Sequence, residues 1–141
     1  MDFDSLRGGA GRSDCGICDL GDDNPGKAEG LVLWAAYPLA SSSLRDSRLA
    51  VVSVYGSLDG VATPDEVLAA KEILPSTIRW VEIRGGNHAQ FSWYGPQSGD
   101  GTGAISREEQ QAEAVKATVK LLRPLKYDGQ ASCGFLDYKN P

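Results

Sequence analysis

At 141 residues, 41% of them hydrophobic and 23% charged, the chain is long enough for one domain with a real core and too short for two. Its net charge of −5, from 14 basic and 19 acidic side chains, argues against a nucleic-acid binder, which would carry a basic face. Its three cysteines, Cys15, Cys18 and Cys133, are an odd number and do not suggest a disulfide framework.

No apolar run approaches the roughly 20 residues that cross a bilayer. Met1-Asp2-Phe3-Asp4 lacks the basic start of a signal peptide, so the chain as given reads as cytoplasmic, with no membrane segment.

Residues 1–29 are dense in Gly, Asp and Arg and show no apolar period, so they read as an irregular N-terminal segment. Cys15-Gly16-Ile17-Cys18 falls inside it. A C-x-x-C is compatible with a redox pair or with half of a zinc site, whose further donors would be Cys133 and His88. A redox pair belongs between a strand and a helix, whereas these surroundings are rich in Gly and Asp. Incidental thiols, and no metal, are the preferred reading.

From Leu31 the pattern changes. Leu31 to Tyr37 is a continuous apolar run ended by Pro38, as in a strand covered on both faces. A polar connection through Ser41-Ser42-Ser43 leads to a second such strand, Leu49 to Tyr55, stopped by Gly56. Thr63-Pro64-Asp65-Glu66 opens a helix, with Thr63 as cap, Pro64 in the first turn and Glu66 completing a capping box. It runs through Val67, Leu68, Lys71 and Leu74 to Pro75. The third strand, Thr77 to Ile83, puts Ile78 and Trp80 on one face and Val81 and Ile83 on the other. Arg79 and Glu82 interrupt both faces and predict a position near an edge.

A long loop, Ser92 to Ile105, follows. Ser106-Arg107-Glu108-Glu109 is another capping box, heading a helix to about Leu122 that Pro124 ends. Its expected packing stripe is Ala112, Val115, Val119 and Leu122, with Glu113, Lys116 and Lys120 in water. The tail, 126–141, carries no periodic pattern.

Strands alternating with helices predict an α/β domain over residues 30–125, with a short parallel sheet of about three strands flanked by helices. Parallel sheets are usually wider, so the pattern reads as the second half of a larger α/β domain.

The chemistry-bearing residues stand just after two of the strands. Asp59 lies in Tyr55-Gly56-Ser57-Leu58-Asp59-Gly60, and His88, the chain's only histidine, in Gly85-Gly86-Asn87-His88-Ala89-Gln90-Phe91. Both positions are at the carboxyl edge of the sheet, where open α/β folds gather their sites. A carboxylate there can fix the imidazole's tautomer and stabilise its protonated form, making a general base. Phe91, Trp93 and Tyr94 are candidates to line an acyl or aromatic substrate pocket, or to cover the end of the sheet. Gln90 is a candidate to orient His88. Gly99-Asp100-Gly101-Thr102-Gly103 has the composition of a phosphate loop but lacks its Lys-Ser/Thr and follows no strand, so it is set aside.

Gly56-Ser57-Leu58-Asp59-Gly60-Val61-Ala62-Thr63-Pro64, followed by Gly85 to Phe91, resembles the carboxyl half of the α/β-hydrolase fold, nearest its dienelactone-hydrolase-like branch, alpha/beta hydrolase fold-5. The resemblance spans about residues 24–123 and implies a partial α/β-hydrolase fold. It assigns Asp59 as acid and His88 as base of a serine-hydrolase triad, acting on an ester or related acyl bond of a small molecule without cofactor or metal. The family's nucleophile elbow, G-x-S-x-G, has no intact copy. Phe3-Asp4-Ser5-Leu6-Arg7-Gly8-Gly9-Ala10 looks like the histidine-serine-leucine-glycine-glycine-alanine elbow with an aspartate before the serine and an arginine inserted after the leucine. Ser5 is therefore the displaced candidate nucleophile. Residues 1–23 are expected to be a misread or frameshifted remnant, or the chain a fragment of a longer gene, which would leave localisation open. The alternative is a non-catalytic truncated domain, unstable or self-associating through an open strand edge. A third reading is a thiol or metal protein built on Cys15 and Cys18.

Overall fold

The computed structural model describes residues 28–93 and 95–125. Three apolar segments form parallel strands: β1 (Gly30–Trp34), β2 (Ala50–Gly56) and β3 (Arg79–Ile83), in the order β1-β2-β3. The β-branched run of β2 lies in the middle, with every residue after Ala50 buried. Among the described residues β3, interrupted by Arg79 and Glu82, takes an edge as its sequence predicts. β1 stops at Trp34, short of Tyr37. The reason is Ala35, whose φ of 45° is uncommon for a residue with a Cβ and turns the chain out of the strand.

Helix α1 (Pro64–Ala69) begins as its sequence dictates. The Glu66 carboxylate accepts the Thr63 N–H at 3.0 Å and the Thr63 hydroxyl at 2.8 Å, while Thr63 Oγ1 accepts the Glu66 N–H. The helix tightens into a 3₁₀ turn over Ala70–Ile73 before Pro75. Ala70 and Leu74 pack with Leu33 and Val51 on one face of the sheet. Helix α2 (Arg107–Leu122), capped by the Ser106–Glu109 box, covers the other face. There Ala114, Ala117 and Leu121 meet Val52, Val54 and Ile83. The result is a helix–sheet–helix sandwich, α/β as expected.

The face that α2 presents is a correction to the sequence reading. Its buried residues are Gln110, Ala114, Ala117 and Leu121, whereas Val115, Val119 and Leu122 are 50%, 39% and 51% exposed and Ala112 is exposed too. Small alanines let the helix backbone settle close on the sheet, and Gln110 is drawn inward by hydrogen bonds that helical periodicity does not register. Among the described residues, the outer edges of β1 and β3 carry no partner strand. No described helix is long and apolar enough to cross a membrane. The segment before residue 28, with Ser5, Cys15 and Cys18, and the tail with Cys133 lie outside the described residues.

Candidate active site

The parallel register sets Gly56 of β2 opposite Ile83 of β3, so the two strands end level and their following loops run side by side. The loops are stitched together by main chain: Ser57 N–H to Ile83 C=O at 3.0 Å and Leu58 N–H to Gly86 C=O at 2.8 Å. The Ser57 hydroxyl also accepts the Gly85 N–H at 2.8 Å. This approach requires glycine. A Cβ on Gly56 would stand 2.6 Å from the Gly86 carbonyl carbon, and Gly85 turns at a φ of 78°.

Within that frame Asp59 and His88 meet. Asp59 Oδ2 lies 2.9 Å from His88 Nδ1, across 29 residues of sequence. Asp59 Oδ1 accepts the Val61 N–H at 2.9 Å and the Ala62 N–H at 2.7 Å, so the buried carboxylate, 3% exposed, is held on both oxygens. The imidazole is mostly covered, its side chain 14% exposed. With Nδ1–H donated to Asp59, Nε2 is the nitrogen available to exchange a proton. The hydrogen bond that His88 donates to Asp59 raises the His88 pKa above its ordinary 6.5; burial opposes this, and the charges of Asp59 and Asp100 add to it. Such a pair can take up a proton and stabilise the cation that results.

Two further side chains fix this site, and neither stands out in the sequence. Gln110, wholly buried in α2, bonds the backbone of Asn87 at both its N–H and its C=O. Asp100, from the glycine-rich segment set aside as an incomplete phosphate loop, accepts the backbone N–H of His88 at 3.0 Å and of Ala89 at 2.8 Å. The only sequence hint of Gln110 is a polar residue one helical turn before Ala114. Asp100 has none beyond its flanking glycines. Gln90 turns away from His88: its side chain donates to the Ile105 carbonyl at 2.9 Å.

Phe91 packs toward the sheet, its ring 6.2 Å from that of Trp34. Trp93 is 70% exposed, with the Arg107 guanidinium 4.4 Å above its ring. Tyr94 and Ser5 lie outside the described residues. A cavity of about 400 Å³ flanks the histidine loop, lined by Asn87, Ala89, Gln90, Gln97, Asp100 and Arg107 among others. Among the described residues, no three or more His, Cys, Asp or Glu side chains converge as metal donors.

A family model described as "Alpha/beta hydrolase family" matches residues 8–112, from the glycines after Ser5 through both loops and into α2. No curated protein and no solved structure matches the chain.

Proposed function

This chain belongs to the alpha/beta hydrolase family, and on that premise we propose that Asp59 and His88 are the acid and base of a serine-type triad acting on an ester or related acyl bond. The observation that carries the reading is the 2.9 Å contact between Nδ1 and Oδ2, with the second carboxylate oxygen held by two amides. A serine hydroxyl would attack the acyl carbonyl while His88 Nε2 takes its proton, then returns it to the leaving group. Asp59 keeps the imidazole in the reactive tautomer throughout. The dienelactone-hydrolase-like branch is our assignment within the family, from the motifs around Asp59 and His88. The substrate is a small acyl compound, and the mechanism uses no metal or cofactor.

In this reading the nucleophile serine is either absent from this chain or displaced from the family's elbow to Ser5. A fluorophosphonate probe on the full chain tests it. Labelling lost in Ser5→Ala, and reduced in His88→Ala, supports the triad. A chain that takes up no label, or labels equally in both variants, overturns the reading of this chain as an active serine hydrolase.

A second reading is favoured by the outer edges of β1 and β3, which carry no partner strand among the described residues, and by the exposed Val115, Val119 and Leu122 on α2. In that reading the chain is non-catalytic and self-associates through an open edge. Sedimentation over a concentration series separates the two, since a monomer at all concentrations removes the second.

A further inference from the structure

Four backbone N–H groups converge on one carboxylate, that of Asp100. Its Oδ1 accepts from Gly60 at 3.2 Å, from His88 at 3.0 Å and from Gly101 at 2.9 Å, and its Oδ2 accepts from Ala89 at 2.8 Å. Gly60 is the neighbour of Asp59 in the loop after β2, whereas His88 and Ala89 belong to the loop after β3. One side chain, from a third segment, therefore ties both loops together. The approach is close. A Cβ on Gly60 would overlap the Gly99 carbonyl, and one on Gly101 would overlap the carbonyl of Leu58.

We propose that Asp100 is a positioning residue for the Asp59–His88 pair: its carboxylate sets the separation of the two loops and places a second negative charge beside the imidazole. The inference rests on the acid–base reading of that pair, and Asp100 touches no reacting atom. Nearby, α2 contributes the cation of Arg107, stacked on Trp93, and the neutral amide of Gln110. Asp59 from the loop after β2 and Asp100 from the loop before α2 are the anions whose charge acts on His88. An asparagine at 100 would keep one acceptor oxygen and turn an NH₂ group toward N–H donors. Part of the junction would then repel rather than hold.

The chain's single histidine makes the test direct, because only one imidazole titrates in the NMR spectrum of the full chain. In Asp100→Asn, the His88 midpoint is expected to fall below the parent's, and the low-field Nδ1–H resonance to broaden or vanish, while the circular dichroism stays that of the folded chain. An unchanged midpoint with the resonance retained would reduce Asp100 to a loop fastener and overturn the proposal. Should Asp100→Asn fail to fold, hydrogen exchange in the unmodified chain decides. Amides of Gly60, His88 and Ala89 that exchange as slowly as those of β2 support the junction, and exchange at open-loop rates refutes it. Neither readout needs a nucleophile. A chain that hydrolyses nothing, yet shows the lowered midpoint, keeps this inference and loses the hydrolase reading. An active chain whose midpoint ignores Asp100 does the reverse.

Discussion

The side-chain amide of Gln110 and the backbone of Asn87 form a closed pair, Oε1 accepting the Asn87 N–H at 3.0 Å and Nε2 donating to the Asn87 C=O at 2.7 Å. Asn87 precedes His88, so α2 grips the histidine loop directly as well as covering the sheet. The Asn87 side chain extends the grip, donating to the Gly101 carbonyl at 2.8 Å and accepting the Gln90 N–H at 3.2 Å.

Replacing Gln110 with leucine keeps the volume but leaves a buried N–H and a buried C=O without partners. Each such loss costs about 1–3 kcal/mol, so Gln110→Leu is expected to lower unfolding stability by about 2–6 kcal/mol. Urea unfolding monitored by tryptophan fluorescence measures it. A change below about 1 kcal/mol would mean that the clasp is open in solution.

Because folding raises the His88 pKa, the folded chain holds that proton more tightly than the unfolded chain does. The resulting stabilisation is fully present below the unfolded value of about 6.5 and fades as pH climbs through the higher folded value. Unfolding free energies measured across this range should decline with pH, and His88→Gln should flatten the decline. Ester hydrolysis should show the opposite trend, since a base must be unprotonated to work. Its rise should sit at higher pH than an ordinary histidine would give, and Asp59→Asn should move it downward.

Gly60→Ala drives a methyl group into the Gly99 carbonyl, a backbone group with little room to yield. Overpacking of this kind costs about 1–3 kcal/mol. The adjacent Asp59 should also shift. A lowered melting temperature together with a displaced His88 resonance is the expected pair of results; a stable variant with an unmoved resonance would contradict the packing described.

The orientation of α2 is tested by two substitutions with opposite forecasts. Val119→Ser, on the 39% exposed side, should change stability by no more than about 0.5 kcal/mol. Ala114→Leu, at a fully buried position, should cost about 1–3 kcal/mol by forcing the helix off the sheet. Thermal unfolding of both variants checks the pair, and equal effects would restore the alternative face.

What was legible in the sequence was local. Thr63 and Glu66 sit three residues apart and cap their own helix, as do Ser106 and Glu109, so the signal needs no knowledge of the rest of the fold. The valine-rich run of β2, free of charged residues, announces burial, and the charges in β3 announce an edge. The meeting of Asp59 and His88 could be foreseen because each follows a strand, and parallel strands end together. Gln110 and Asp100 could not. Their partners lie 23 and 12 residues away for Asn87 and His88, and 40 away for Gly60, bonded through main-chain groups that every residue carries. The α2 face was misjudged for a related reason: large Val and Leu side chains outweigh alanine in any apolar pattern, yet close approach to the sheet favours the alanines. Nor does any residue type mark the turn at Ala35 that shortens β1.

The pairing of Gly56 with Ile83 makes the site a vernier for the sheet. Sliding β3 by a single residue would carry the imidazole about 3.3 Å along the strand. That displacement exceeds the whole 2.9 Å gap across which Nδ1 now reaches Oδ2. Any substitution that loosens strand alignment, even at the far end near Val52 and Arg79, would therefore register first as a change in the titration of one ring.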